Sequence, residues 1–115
     1  MPKNKRDYNL YLADIGECII NIEQYTKNLT FEKFKNNRMV IDAVVRNIEI
    51  IGEATNNIPA KIKTEYSDVP WNKIIGMRNK VIHEYFGVDV KILWETIQNR
   101  IPELKKELSK IKSYK

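Results

Sequence analysis

Four residues of one segment have the chemistry and the spacing that phosphodiester cleavage needs. Arg78, Asn79, His83 and Tyr85 lie within Trp71–Asp89, and His83 is the only histidine of the chain. An imidazole can accept and donate protons near neutral pH, and a guanidinium can hold a phosphate through two parallel hydrogen bonds. These are the two tools for cutting RNA without a metal ion. By itself the pattern is weak evidence, because a single histidine on a helix more often packs or faces solvent.

On a helix these side chains form two polar stripes. Arg78 and His83, five positions apart, are separated by ~140° around the axis and ~7.5 Å along it. Asn79 and His83 share one face, whereas Tyr85 lies only ~20° from Arg78. A long arginine side chain can bend towards the imidazole over a bound phosphate. His83 also lies near the predicted helix end, where the dipole favours imidazolium.

One histidine cannot be both base and acid in a single cleavage. Attack by the RNA 2′-hydroxyl needs a base, an acid for the 5′ oxygen, and positive charge for the pentavalent transition state. A two-fold dimer brings in a second His83 and a second Arg78. We predict a composite site in a homodimer or higher even oligomer, giving a 2′,3′-cyclic phosphate and a 5′-hydroxyl. In it His83 moves protons, Arg78 holds the phosphate, and Asn79 orients His83 or bonds the phosphate.

The chain around this motif is predicted to be helical throughout. Apolar residues recur near helical spacing, and the expected helices cover about 7–27, 31–35, 37–57, 60–66, 71–85 and from 89 onwards. Thr30 is a predicted cap, Pro59 and Pro70 mark helix starts, and Gly87 is a stop. Pro102 removes an amide inside the last helix, so a kink is expected there. The predicted fold class is an all-α antiparallel bundle of four main helices plus a short extra helix.

The helix predicted over 37–57 is apolar on two sides. Val44 and Ile48 lie on one side, and Ala43 and Ile50 on another. Such a helix must be covered from two directions. In a chain this short, a second copy of the protein could cover one of these two sides.

Size and composition favour one small cytoplasmic domain. The 115 residues are expected to form a single domain over 1–115, and no apolar run reaches the length of a membrane span. The N-terminal stretch has no apolar segment like that of a secretory signal. Cys18, the only cysteine, cannot form an internal disulfide and is predicted to lie in the core.

The net charge of +5 is compatible with an RNA partner but does not establish one. The basic excess gathers at the two ends, and an ordinary pair of solvated termini explains it equally well. The residues concerned are Lys3, Lys5, Arg6, Lys105, Lys106, Lys110, Lys112 and Lys115.

No metal or other cofactor is expected from the residue types. Cys18 and His83 are the only strong nitrogen or sulfur ligands, and their separation fits no zinc spacing. Glu53 could pair with Arg78 and orient it, although an exposed or structurally paired acid is about as plausible an interpretation.

Several stretches resemble the HepT-like form of the HEPN superfamily. Arg78, four intervening residues, His83, Glu84 and Tyr85 match its Arg-x4-His-x-Tyr motif without a gap. The resemblance continues in YLADIGECIINIEQYT, IDAVVRNIEIIGEA and VPWNKIIGMRN, so it covers nearly the whole chain.

The resemblance implies a ribonuclease toxin of a type II-like toxin–antitoxin pair, with the same composite dimer site. It also implies a nucleotidyltransferase antitoxin that transfers AMP to the tyrosine matched by Tyr85. The alternative is a non-catalytic helical subunit that binds nucleotides or the partner enzyme, and a plain interaction domain is a third. Glu84 either raises the basicity of His83 or pairs with Lys80, and the sequence alone does not distinguish these two roles.

Overall fold

A computed structural model describes the backbone of residues 7–87 and 89–111, with the side chains of residues 7–81 and 89–111. Every regular element in these ranges is helical. Of the predicted basic termini, Lys3, Lys5, Arg6, Lys112 and Lys115 lie outside the described residues, and so does Val88. In chain order the elements are α1 (Tyr8–Thr26), α2 (Phe31–Lys35), α3 (Arg38–Asn57), α4 (Ala60–Glu65), α5 (Trp71–Gly87), α6 (Val90–Glu95), a π-helical turn (Thr96–Arg100) and α7 (Ile101–Leu108).

The predicted all-α fold class is confirmed. Three of the main helices are α1, α3 and α5, and α6, the π-helical turn and α7 together form the fourth. The short helices are α2 and α4, where the sequence predicted a capped turn and a proline-led helix. No helix in the described part of the chain is long and apolar enough to cross a membrane.

Helix α3 lies between α1 and α5, which are its main contacts. Val44, Ile48 and Ile51 of α3 are fully buried, as are Ile15 and Ile22 of α1. On the other apolar side of α3, Ala43 and Ile50 are only partly buried. Part of that side therefore stays accessible within one chain, and its coverage by a second copy stays a prediction. The dimer expected from the single histidine and from the family resemblance also stays a prediction.

Polar side chains cap the starts of α2, α3 and α6, and one of these caps was predicted from the sequence. Thr30 Oγ1 accepts a hydrogen bond from the Lys33 amide at 3.2 Å, which confirms the predicted cap. Asn37 Oδ1 accepts from the Val40 amide at 3.1 Å, and Asp89 Oδ1 accepts from the Lys91 amide at 3.1 Å. Each contact satisfies an amide that has no partner inside its helix.

The last helical run contains a π-helical turn just before Pro102. The Ile101 amide donates to the Thr96 carbonyl five residues back, and Pro102 lies in the first turn of α7. Because proline has no amide, a regular α-helical bond to Gln98 is impossible. The helix responds to Pro102 with a wider turn, and the predicted kink itself stays a prediction.

Trp71 fixes the start of α5, the helix that carries the motif. Its side chain is buried, and its indole N–H donates to the carbonyls of Lys63 at 3.2 Å and Tyr66 at 3.1 Å. These carbonyls lie at the end of α4, where they have no partner in the helix. The contact ties α4 to the first residue of α5.

Candidate active site

All four motif residues lie on one uninterrupted α-helix. Helix α5 extends from Trp71 to Gly87, so the predicted stop at Gly87 is confirmed. The two-stripe arrangement therefore holds for the backbone positions, with Asn79 and His83 on one stripe and Arg78 on the other. The side chains of His83 and Tyr85 lie outside the described residues, and their roles stay predictions.

The stem of Arg78 packs directly on Gly52 of α3. A Cβ atom added at Gly52 would overlap Arg78 Cγ and would lie 2.7 Å from its Cβ and 2.9 Å from its Cδ. Real Cβ atoms do not approach other carbons so closely. Only glycine leaves room at position 52 for the arginine to reach past α3. The sequence pattern did not single out Gly52, although it lies beside Glu53 in the family-like stretch.

The guanidinium of Arg78 is held towards the stripe that contains His83. Its Nη1 donates a hydrogen bond to Asn79 Oδ1 at 2.9 Å, and Asn79 precedes His83 by one helical turn. The observed partner of Asn79 is thus Arg78, a role that the sequence did not suggest. The predicted contacts of Asn79 with His83 or with a phosphate stay predictions.

Arg78 retains unused hydrogen-bonding capacity. Its Nε is buried and has no hydrogen-bond partner among the described residues, and Arg78 joins none of the ion pairs found among their side chains. A buried donor without a partner is costly, and an unpaired guanidinium attracts anions. This arrangement suits a site that receives a phosphate.

The described residues contain no ion pair between Glu53 and Arg78. The Glu53 side chain is exposed on α3, and the neighbour that α3 offers to Arg78 is Gly52. A role for Glu53 as an orienting acid stays a prediction.

The part of α5 whose side chains are described carries only positive charge. Lys73, Arg78 and Lys80 lie between Trp71 and Val81, and this stretch contains no acidic residue. Lys73 and Lys80 both line a cavity of about 380 Å³ between α5 and the last helical run. Residues of the opposite wall, including Glu95 and Asn99, were not found by sequence reasoning, because no local motif marks them.

The lone cysteine lies away from this chemistry. Cys18 is 5% exposed, which confirms the predicted core position. Burial raises the pKa of its thiol to about 11, Asp14 and Glu17 add to the rise, and Arg46 opposes it. The described side chains include no group of three or more His, Cys, Asp and Glu residues placed to hold a metal ion.

An all-α bundle with Arg-x4-His-x-Tyr on one helix defines a protein of the HEPN type. The family model described as "Ribonuclease HepT-like" matches residues 15–111. The chain therefore belongs to the HepT-like family of the HEPN superfamily, and the resemblance found in the sequence is confirmed.

Several named relatives match along most of their own length. "Putative RNase MJ1216" of Methanocaldococcus jannaschii is 48% identical over 111 residues, covering 96% of this chain and 90% of the relative. "Probable ribonuclease HepT" of Thermococcus cleftensis is 44% identical over 108 residues, with 94% and 98% covered. "Putative RNase TTE0752" of Caldanaerobacter subterraneus is 48% identical over 102 residues, with 88% and 90% covered. No solved structure was found to match the chain.

Proposed function

We propose that this protein is a metal-independent endoribonuclease. The observation that carries the proposal is the Arg78 side chain, which is threaded past Gly52, bonded to Asn79 and left without a carboxylate partner among the described side chains. The matching family is described as a ribonuclease family and the relatives are named as ribonucleases, which supports the same activity.

In the proposed reaction the nucleophile is a 2′-oxygen of the RNA itself, and the protein holds the phosphate and transfers the protons. The 2′-oxygen attacks the adjacent phosphorus, the bond from phosphorus to the 5′-oxygen breaks, and a 2′,3′-cyclic phosphate and a 5′-hydroxyl form. One His83 takes the 2′ proton, and a second group protonates the departing 5′-oxygen. Arg78 neutralises the charge that develops on the phosphorane oxygens.

The second proton-transfer group is proposed to be His83 of another copy. Each chain has one histidine, and a two-fold dimer places two such residues and two arginines at one interface. The dimer would be the active form, and dilution to monomers would abolish cleavage. Sedimentation of the purified protein alongside activity at the same concentrations tests this part.

The protein is further proposed to be the toxin of a toxin–antitoxin pair. A partner nucleotidyltransferase would inhibit it by modifying Tyr85. In that step the Tyr85 phenol oxygen attacks the α-phosphorus of ATP, pyrophosphate leaves, and the phenol proton passes to solvent. The added AMP would place an anion on the stripe of Arg78 and block entry of the RNA phosphate. Intact mass before and after incubation with the partner and ATP, compared with Tyr85→Phe, tests the step.

The primary test is cleavage of total bacterial RNA in EDTA by protein of unmodified mass. Wild type should cut, His83→Ala and Arg78→Ala should not, and the products should carry 2′,3′-cyclic phosphate ends. Products with 5′-phosphate ends would contradict the mechanism. Equal inertness of unmodified wild type and both variants would instead favour the non-catalytic binding subunit.

A further inference from the structure

The cavity beside α5 has the walls expected of a nucleotide site. Its volume of about 380 Å³ falls within the ~300–1,000 Å³ of typical small-molecule sites. Apolar side chains from both walls line its interior, namely Ile74, Met77, Ile92 and Leu104. Lys73 and Lys80 line the α5 wall, and the other wall carries Glu95, Asn99, Arg100 and Glu103.

The charges of the two walls differ in a way that suits a nucleotide. Lys73 and Lys80 are exposed on α5 and form no ion pair with any described side chain. Glu103 of the opposite wall is already paired with Arg100 at 3.3 Å, which leaves Glu95 as the uncommitted carboxylate. Lysines bind phosphate, whereas a carboxylate accepts hydrogen bonds from the N–H groups of a base.

Gly76 connects this cavity with the His83 stripe. It lines the cavity, is exposed, and has nothing within 4 Å of an added Cβ. At ~100° per residue it lies ~40° from Lys80 and ~20° from His83 around the helix. A glycine inside a helix lowers its stability, and no neighbouring residue requires one here. The missing side chain leaves a path by which a polynucleotide backbone can cross α5 closely.

The π-helical turn sets the position of Asn99 on the far wall. Asn99 lies within this wider turn, and Glu95 precedes the turn. The hydroxyl of Thr96 is already committed, because it donates to the Ile92 carbonyl at 2.9 Å. Glu95 and Asn99 are therefore the groups of this wall that remain for a base. Turns of this kind are common at functional sites.

We infer that this cavity binds a base of single-stranded RNA whose backbone crosses α5 at Gly76 towards His83. The inference rests on the proposed ribonuclease function, because it names where a substrate base binds. The Glu95 carboxylate can accept hydrogen bonds from two adjacent N–H groups of a base. Guanine has two such groups on its Watson–Crick edge, so the site should prefer guanine. Lys73 and Lys80 hold the flanking phosphates without regard to sequence.

Binding in a cleavage-impaired background tests the inference. The probes are fluorescent RNA decamers, one of uridine alone and others with a single central guanosine, adenosine or cytidine, bound to full-length His83→Ala protein. The guanosine probe should bind about tenfold more tightly than the uridine probe. Adding Glu95→Gln should remove that preference, whereas the matched control Glu17→Gln on the exposed face of α1 should keep it.

Three further variants separate the parts of the path. Lys73→Ala and Lys80→Ala should weaken all probes about equally and reduce the salt dependence of binding, unlike the control Lys61→Ala on α4. Gly76→Ala should weaken every probe severalfold while the melting temperature stays the same or rises. If Gly76 had a structural role, Gly76→Ala would lower both the affinity for RNA and the melting temperature.

The results separate this inference from the proposed activity. Base preference that survives Glu95→Gln, or no RNA binding by the His83→Ala protein, overturns the inference even if wild type cleaves RNA. If the cavity variants weaken binding of a protein partner but leave RNA binding unchanged, the inference is also overturned. If wild type is inert but the guanosine preference depends on Glu95, the base site stands and the catalytic proposal falls.

Discussion

Arg78 and Gly52 are matched in space across 26 residues of sequence. The Cβ, Cγ and Cδ atoms of the arginine lie too close to position 52 for any larger residue to place a Cβ there, so α3 supports the stem of Arg78. A helix that would otherwise gain stability from alanine keeps a glycine here. The match indicates that the position of Arg78 is fixed by the fold as well as by its own helix.

Gly52→Ala should therefore destabilise the protein and displace Arg78. Overpacking costs about 1–3 kcal/mol, partly offset by about 1 kcal/mol of better helix propensity. Urea unfolding should show a net loss, and RNA cleavage at equal folded concentration should fall. Gly76→Ala is the stability control, since its Cβ meets nothing within 4 Å, and it should unfold at higher urea.

A double-variant cycle then identifies the clash. Arg78→Ala removes the side chain that a Cβ at Gly52 would strike, so Gly52→Ala should cost less stability in the Arg78→Ala background. An equal cost in both backgrounds would show that Gly52 is required for some other reason.

Changes at Asn79 should act through Arg78. Asn79→Ala removes the 2.9 Å hydrogen bond, and we expect a two- to tenfold loss of kcat/KM, roughly the value of one hydrogen bond. Asn79→Asp should lower it by about a further tenfold, because a charged acceptor holds the guanidinium more strongly and competes with the phosphate.

The control for this pair is Asn72→Asp, which adds the same charge to α5 two turns earlier on the same stripe. Its effect on cleavage should be smaller. If the two aspartates act equally, general repulsion of RNA explains the loss and the Arg78–Asn79 contact does not.

A partly buried amide pair between α1 and α3 should contribute to stability. Asn47 is 7% exposed, donates to the Ala43 carbonyl at 2.8 Å and accepts from Asn21 Nδ2 at 3.2 Å. Asn47→Leu should lower the free energy of unfolding by about 1–3 kcal/mol, because it leaves the Asn21 amide unsatisfied. Asn21→Leu combined with Asn47→Leu should recover part of the loss. Urea unfolding of the three variants checks this.

Alkaline pH should weaken the fold through Cys18. Burial raises the pKa of its thiol from 9.0 to about 11, so the unfolded chain loses this proton at lower pH than the folded protein. Stability from this group is intact below about pH 9 and is lost as the pH rises from 9 to about 11. The loss amounts to about 2–3 kcal/mol.

The measurement is the difference in unfolding free energy between wild type and Cys18→Ala across that range, because this difference removes every pH effect that the two proteins share. Wild type should lose more stability with rising pH. A thiol reagent should also react slowly with the folded protein at pH 8 and quickly in urea. Rapid reaction with the folded form would contradict the buried position.

Local signals were sufficient for the helices. The cap at Thr30, the prolines at 59 and 70 and the stop at Gly87 act within one or two turns of chain, and each lies where the sequence placed it. The Arg78–His83 spacing likewise gave the two stripes of α5, since helical geometry depends only on sequence separation.

The sequence by itself thus determined the all-α class, the helix bounds and the motif on one helix, because short-range hydrogen bonding and steric rules act locally. Only the tertiary structure decided that α1 and α5 both pack on α3, that Gly52 makes room for Arg78, and that a cavity opens beside Lys80. These features depend on how distant helices pack, and the registry between helices is set by the whole core rather than by any one segment.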